Sequence, residues 1–381
     1  MPASFAYPQA KEAGFFFNFG YDGVMPNLSH FSLPLLLLVF AVAAAAVWIA
    51  GIFLSDTTDA LDDRLHLGEA LGGLILLALT TNLPEIAITV TAALHHNIGV
   101  AIGNILGGIA LQTVVLAALD VGVPGKRPLT WQAASLVLVL EGVLVTAVLV
   151  VTMMGTQLPR TLILFRLTPE DLALAGIWLA GLWLLKKART DLPWQNKGDA
   201  PGGEETADMK SRKKKADEKN KSKSTARLAA VFGVAALVTL AAGYALEQSS
   251  TGIANHLHMT GVLFAATFLA AATSLPELST GTASIKLGDY SLAISDIFGG
   301  NAFLPVLFLV ATVLSGEAVL PQAQKTDIYL AGLGILLTAV YVYGLVFRPG
   351  RLFLRMGVDS LVVLILYVVG VAGLFAISGT R

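Results

Sequence analysis

The chain has 381 residues, of which 55% are apolar and 13% charged, with a net charge of −1. That balance excludes a soluble globular mixture and points to a polytopic membrane protein, because many segments exceed the roughly 18 apolar residues that cross hydrocarbon. There is no cysteine, which excludes disulfides, thiolate metal sites and cysteine nucleophiles.

In chain order, residues 1–31 read as an extracytoplasmic segment. No basic stretch leads into a cleavable apolar one, so no signal peptide is expected. Phe15, Phe16, Phe17, Phe19 and Tyr21 suit the membrane surface, where aromatic rings concentrate. Spans are expected near 32–54, 69–94, 98–119, 131–153 and 170–187, then near 228–247, 260–286, 291–314, 327–347 and 358–377. The first five form one membrane repeat, 32–187, and the last five a second, 228–381. Between them, 188–227 is a charged linker with too few apolar residues to bury a core, and disorder is expected there. Thirteen Lys and Arg residues between Lys186 and Arg227 place it in the cytoplasm, with both termini outside. Binding of anionic lipid by the same basic run is compatible with this. Five spans on either side of the linker give the two halves opposite orientation. Inverted repeats with broken helices around a midplane site are a transporter architecture. The expected fold is therefore all-α, with about ten transmembrane helices in two inverted five-helix repeats.

One short unit occurs in both halves. TTNLPE (80–85) and ATSLPE (272–277) lie 192 residues apart, each inside an apolar segment, and the same offset pairs Gly107 with Gly299. Proline in a helix removes one N–H and frees the carbonyl four residues earlier, so Pro84 and Pro276 predict breaks at these points. Unpaired carbonyls at membrane depth persist only where protein or a cavity receives them. Ionisable residues are rare in spans, which makes Glu85 and Glu277 functional candidates. Thr81 and Asn82 share a helix face with Glu85, as Thr273 and Ser274 do with Glu277. Carboxylates, hydroxyls, an amide and carbonyls make an oxygen set suited to Ca²⁺, or, with fewer of them, to Na⁺. Each copy then enters a helix with a small-residue face. AIGNILGGIALQ spaces Asn104, Gly108 and Gln112 as AISDIFGGNAFL spaces Asp296, Gly300 and Leu304, and the glycines permit close helix approach.

Paired LPE units, the GNxxGG and SDxxGG stretches that follow, and ten spans around a cytoplasmic linker resemble the sodium/calcium exchanger, or cation/calcium antiporter, superfamily in its prokaryotic type. The resemblance implies that Glu85 and Glu277 are the central metal-binding carboxylates. Thr81, Asn82, Thr273, Ser274 and the carbonyls of Ala78 and Ala270 would complete the ion sites. It also implies alternating access, with the first and sixth spans sliding past the others, and a bacterial inner membrane location. The expected function is secondary antiport of Ca²⁺ against Na⁺ or H⁺, with inorganic cations and the bilayer as partners and no resident cofactor. A monovalent cation/proton antiporter and a non-transporting sensor of the same fold are the alternatives.

The chain departs from the family pattern at several points. The family's serine is Gly108 in one copy and Gly300 in the other, and its later Asn and Asp are Gln112 and Leu304. Asp296 stands for the family's asparagine but precedes Leu304 by eight residues, roughly 12 Å of helix, so it is read as guarding an entrance. Fewer oxygen cages favour exchange against protons over several Na⁺ ions, since carboxylates placed close together favour protonation. Asn301, which follows Gly300, is a further secondary candidate.

Glu141, mid-span in LVLVLEGVLV with no counterpart in the other half, is expected to face the bundle and pair with a polar neighbour. Asp56, Asp59, Asp62 and Asp63 are expected in a solvated cytoplasmic loop. His95, His96, His256 and His258 are read as interfacial residues without an evident partner. Neither a nucleotide-binding nor a nucleic-acid motif is present, so ATP-driven pumping has no sequence support. An intramembrane hydrolase would need an aspartyl dyad or a Ser/His pair at the matched positions, and neither stands there. The chain is accordingly not read as an enzyme.

Overall fold

The structure is a computed structural model that describes residues 31–65, 78–125, 127–133, 135–161, 166–190, 192 and 224–378. The aromatic cluster of residues 15–21, most of the linker and the first nine residues of the expected second span lie outside these.

Within them the chain is almost entirely helical, in the order α1 (Leu33–Leu65), α2 (Leu83–Leu94), α3 (Ile98–Gly122), the short α4 (Leu129–Gln132), α5 (Leu136–Gly155), α6 (Pro169–Thr190) and α7 (Thr225–His256). There follow α8 (Gly261–Phe264), a π-helical turn at Ala265–Leu269, α9 (Ala270–Thr273), α10 (Leu275–Leu287), α11 (Tyr290–Phe303) and α12 (Leu307–Ser315). The chain closes with α13 (Lys325–Phe347), a two-residue hairpin pairing Leu352–Phe353 with Met356–Gly357, and α14 (Val358–Ser378). Eight described helical runs are long and apolar enough to cross a membrane, with α8–α10 and α11–α12 each counted as one run. This is an integral membrane protein. Its exposed large apolar side chains, among them Leu38 and Val42 on α1, Leu237 on α7, Trp183 on α6 and Val368 on α14, form the surface that lipid would cover.

The expected loop carrying Asp56 is instead the end of α1, which continues to Leu65. Its four aspartates at 56, 59, 62 and 63 do not stop a helix that only has to extend beyond the hydrocarbon. The side chains of Asp59, Asp62 and Asp63 lie outside the described residues.

Helix packing is reciprocal between the halves. α1 and α7 pack on each other more extensively than any other pair; α2 packs on α7 and α12, while α10 packs on α1 and α3. The two long helices touch the broken ones through matched glycines. A Cβ on Gly51 of α1 would lie 2.8 Å from Pro276 Cβ, and one on Gly243 of α7 would lie 2.6 Å from Ala87 Cβ and 3.2 Å from the Pro84 carbonyl. Gly51 and Gly243 are themselves 192 residues apart. At the centre, Gly107 of α3 lies so close to Ala266 in the π-helical turn that an added Cβ would sit 2.3 Å from the Ala266 Cα. No side chain fits at that contact, and π-turns of this kind recur at functional sites.

Candidate functional site

Both LPE units break their helices in the same way. Asn82 (φ −86°, ψ 12°) and Ser274 (φ −84°, ψ 3°) leave the helical region, and α2 and α10 restart at once with Pro84 and Pro276 in their first turns. Proline is preset for that position and has no N–H to leave unpaired. Glu85 and Glu277 therefore sit in the first turns of two new helices, in the protein interior. They are 0% and 1% exposed.

The side chains before each break fold back identically. Asn82 Nδ2 donates to the Ala78 carbonyl at 2.6 Å and Thr81 Oγ1 to the same oxygen at 3.4 Å. Ser274 Oγ and Thr273 Oγ1 donate to the Ala270 carbonyl at 2.8 and 3.3 Å. The expected carbonyl positions are thus ringed by the expected hydroxyls and amide. Thr273 also stands beside the Glu85 carboxylate, which brings one half of the centre against the other.

Gln112 joins the halves directly. Its Nε2 lies 3.3 Å from Glu85 Oε1, 3.1 Å from Glu277 Oε1 and 3.5 Å from Asn82 Oδ1. Glu85 Oε2, Glu277 Oε2 and Gln112 Oε1 are buried without a hydrogen-bond partner. Among the described residues no Lys, Arg or His forms an ion pair with either glutamate. Two carboxylates without a basic partner, their bare oxygens and one amide are thus gathered in the protein interior. Buried acids without a basic partner must take up a cation or protons.

The secondary candidates divide. Asp296 reaches the centre: its Oδ2 accepts from Thr280 Oγ1 at 2.5 Å, and Thr81 hydrogen-bonds the same carboxylate. Asn301 does not, since its Nδ2 donates to the Ile109 carbonyl at 3.4 Å and to Thr113 Oγ1 at 3.1 Å, pinning α11 to α3. Asn104 is fully buried with neither side-chain polar atom hydrogen-bonded. Glu141 finds the polar neighbours expected of it, accepting from Ser295 Oγ at 2.9 Å and from Arg189 Nη2 at 3.4 Å. A cavity of about 40 Å³ runs between this pair and Ala78. Leu304 is fully buried, and its Cδ1 would lie 3.7 Å from a Cβ on Gly108.

A second polar cluster lies at the far end of α7. Glu247 Oε1 accepts from Asn97 Nδ2 at 3.0 Å and Oε2 from Gln248 Nε2 at 2.7 Å, while His95 Nδ1 stands 3.0 Å from Gln248 Nε2 and 3.8 Å from Glu247 Oε2. His95 therefore has a partner, as does His96, whose Nδ1 is 3.2 Å from Glu317 Oε1. His256 Nδ1 lies 2.9 Å from the Gly252 carbonyl. Sequence reasoning passed over Glu247 and Thr280. The 192-residue offset does align LSDTT (54–58) with LEQSS (246–250), which marks this segment. Its hydroxyls bond alike: Thr57 Oγ1 donates to the Phe53 carbonyl at 2.6 Å and Ser249 Oγ to the Ala245 carbonyl at 2.6 Å.

Fold and site together define a polytopic helical membrane protein with a paired-carboxylate centre between broken helices. The sequence model of the sodium/calcium exchanger protein family matches residues 35–185 and 227–374, and the chain belongs to that family. It is 26% identical over 286 residues to the inner membrane protein YrbG of Escherichia coli (strain K12), covering 73% of this chain and 80% of that one. Among solved structures it is similar to the H⁺/Ca²⁺ exchanger CAX, with a TM-score of 0.65 at 14% identity, covering 94% of this chain and 87% of that one. It is also similar to the sodium-calcium exchanger NCX_Mj, with a TM-score of 0.54 at 14% identity, covering 90% and 99%. These structural likenesses bear on the fold. Family membership makes the chain a transporter of inorganic cations.

Proposed function

We propose that the protein is a secondary cation antiporter that exchanges Ca²⁺ for H⁺ by alternating access at the Glu85/Glu277 centre. The observation that carries this reading is the single Gln112 amide nitrogen that lies within reach of both carboxylates. Two buried acids that close on one donor can close on one divalent ion, whose ligands stand at about 2.3–2.6 Å. When the ion leaves, protons can neutralise the same oxygens. Ca²⁺ and H⁺ then compete for one site, which is the condition for exchange.

Glu85, Glu277, Thr81, Asn82, Thr273, Ser274 and the carbonyls of Ala78 and Ala270 form the ion site in this reading, with Gln112 as the switching ligand. Protons are favoured over Na⁺ as the coupling ion because Gly108 and Gly300 supply no hydroxyl and Leu304 no carboxylate. The basic linker lies in the cytoplasm and divides two inverted membrane repeats, 32–187 and 228–381. α1 and α7 are the moving pair, sliding as one body over the glycine contacts at Pro276 and Pro84. Ca²⁺ uptake into proteoliposomes under a pH gradient tests the reading, with Glu85→Gln and Glu277→Gln as controls. Uptake without Na⁺ that both variants abolish supports it, and strict dependence on Na⁺ refutes the proton coupling.

A further inference from the structure

Asp296 is 3% exposed, its Oδ1 has no hydrogen-bond partner, and no described Lys, Arg or His pairs with it. It is wired to the ion centre through single hydroxyls. Thr280 Oγ1 lies 2.5 Å from Asp296 Oδ2 and 3.1 Å from the Glu277 carbonyl, while Thr81, the other partner of Asp296, reaches the Ala78 carbonyl at 3.4 Å.

Connectivity fixes the side on which Asp296 lies. α6 ends and α7 begins at the linker; α7 runs away from it, the α8–α10 run returns to Leu287, and α11 departs again from Tyr290. Asp296 stands six residues into α11, about 9 Å from that end, whereas Glu277 stands ten residues before the end of α10, about 15 Å from it. Asp296 therefore lies between the centre and the linker face. Its counterpart at the 192-residue offset is Asn104, six residues into α3 and near the opposite face. One approach to the centre carries a carboxylate, and the other a neutral amide.

We propose that Asp296, with the hydroxyls of Thr81 and Thr280, is a cation transfer site on the linker side of the centre, so that the two faces bind Ca²⁺ unequally. This rests on Glu85 and Glu277 forming the central site. A buried carboxylate without a basic partner attracts a divalent ion, its two hydroxyl neighbours supply further hard oxygens, and its bare Oδ1 is a ready ligand. A cation handed from Glu277 to Asp296 stays in contact with oxygen as it crosses the occluded stretch. On the Asn104 side the same step has no charge to assist it.

The test measures half-saturating Ca²⁺ separately on each face, using the full chain reconstituted in vesicles of defined orientation. Asp296→Asn keeps the size of the side chain and an acceptor for Thr280. It should raise the linker-face value about tenfold, the scale expected for one nearby charge acting on a divalent ion, and leave the opposite face within about twofold. Asn104→Asp should lower the opposite-face value and leave the linker face alone. If Asp296→Asn leaves the linker face unchanged, or shifts both faces equally, the proposal is wrong. Should that variant fail to insert, Asn104→Asp decides, and an unchanged opposite face overturns the idea. Failure of the central-site reading looks different: Glu277→Gln would then transport as wild type, whatever Asp296→Asn does. Absence of Ca²⁺ movement by the wild-type chain under every gradient would end both.

Discussion

Glu85 and Glu277, 192 residues apart in the chain, are joined by one atom: Gln112 Nε2 stands 3.3 Å from the first and 3.1 Å from the second. An amide has two hydrogens on that nitrogen, so it can serve both carboxylates at once.

Replacing Gln112 by leucine leaves both carboxylates without that donor. The loss of a buried hydrogen-bond partner costs about 1–3 kcal/mol, so Gln112→Leu should lower the melting temperature of the detergent-purified protein in chelator. Added Ca²⁺ should stabilise the variant less than the wild type, because leucine offers the ion no oxygen. Equal responses to Ca²⁺ would remove Gln112 from the site.

Gly107 separates packing from composition. A Cβ there would sit 2.3 Å from the Ala266 Cα, whereas Gly122, at the end of the same helix, has nothing within 4 Å of a built Cβ. Gly107→Ala must push α3 away from the π-helical turn, at a cost of about 1–3 kcal/mol, and transport should fall. Gly122→Ala should be near neutral in the same melting and flux assays.

Restoring the family serine should succeed at one copy and fail at the other. A Cβ on Gly108 meets only Leu304 Cδ1 at 3.7 Å, but one on Gly300 lies 2.7 Å from Asn82 Nδ2. Gly108→Ser should therefore fold and transport. Gly300→Ser should be impaired and should recover when Asn82→Ser is added, because serine already fills the matched position at Ser274. Impairment that the second change does not relieve would break this link.

The Glu247 cluster ties α7 to the turn between α2 and α3 through Asn97. If α7 moves during exchange, Asn97→Ala should free that end. The chain has no cysteine, so Thr251→Cys gives a single labelling point beside the contact. Its reaction with a membrane-impermeant maleimide should speed up several-fold in Asn97→Ala, and an unchanged rate would mean that the contact does not restrain α7.

Much of this was legible because membrane folding leaves strong signals. A glutamate inside an apolar run is costly enough to stand out, and the 192-residue offset matches Pro84 with Pro276 in the sequence itself. Breaks at Asn82 and Ser274 follow from those prolines. What sequence did not reveal depends on distant partners. Glu247 sits on the polar end of a long helix, and its value lies in Asn97, 150 residues away. Thr280 resembles any helical threonine until Asp296 is placed opposite it. The extension of α1 past Asp56 escaped because aspartates suit a helix end beyond the membrane as well as they suit a loop.

The central claim is tested most directly by radiolabelled Ca²⁺ flux in proteoliposomes under separately imposed H⁺ and Na⁺ gradients. The expected result is Ca²⁺ uptake driven by the pH gradient in Na⁺-free buffer and abolished by Glu85→Gln or by Glu277→Gln. Uptake that requires Na⁺, or that survives both substitutions, would contradict it.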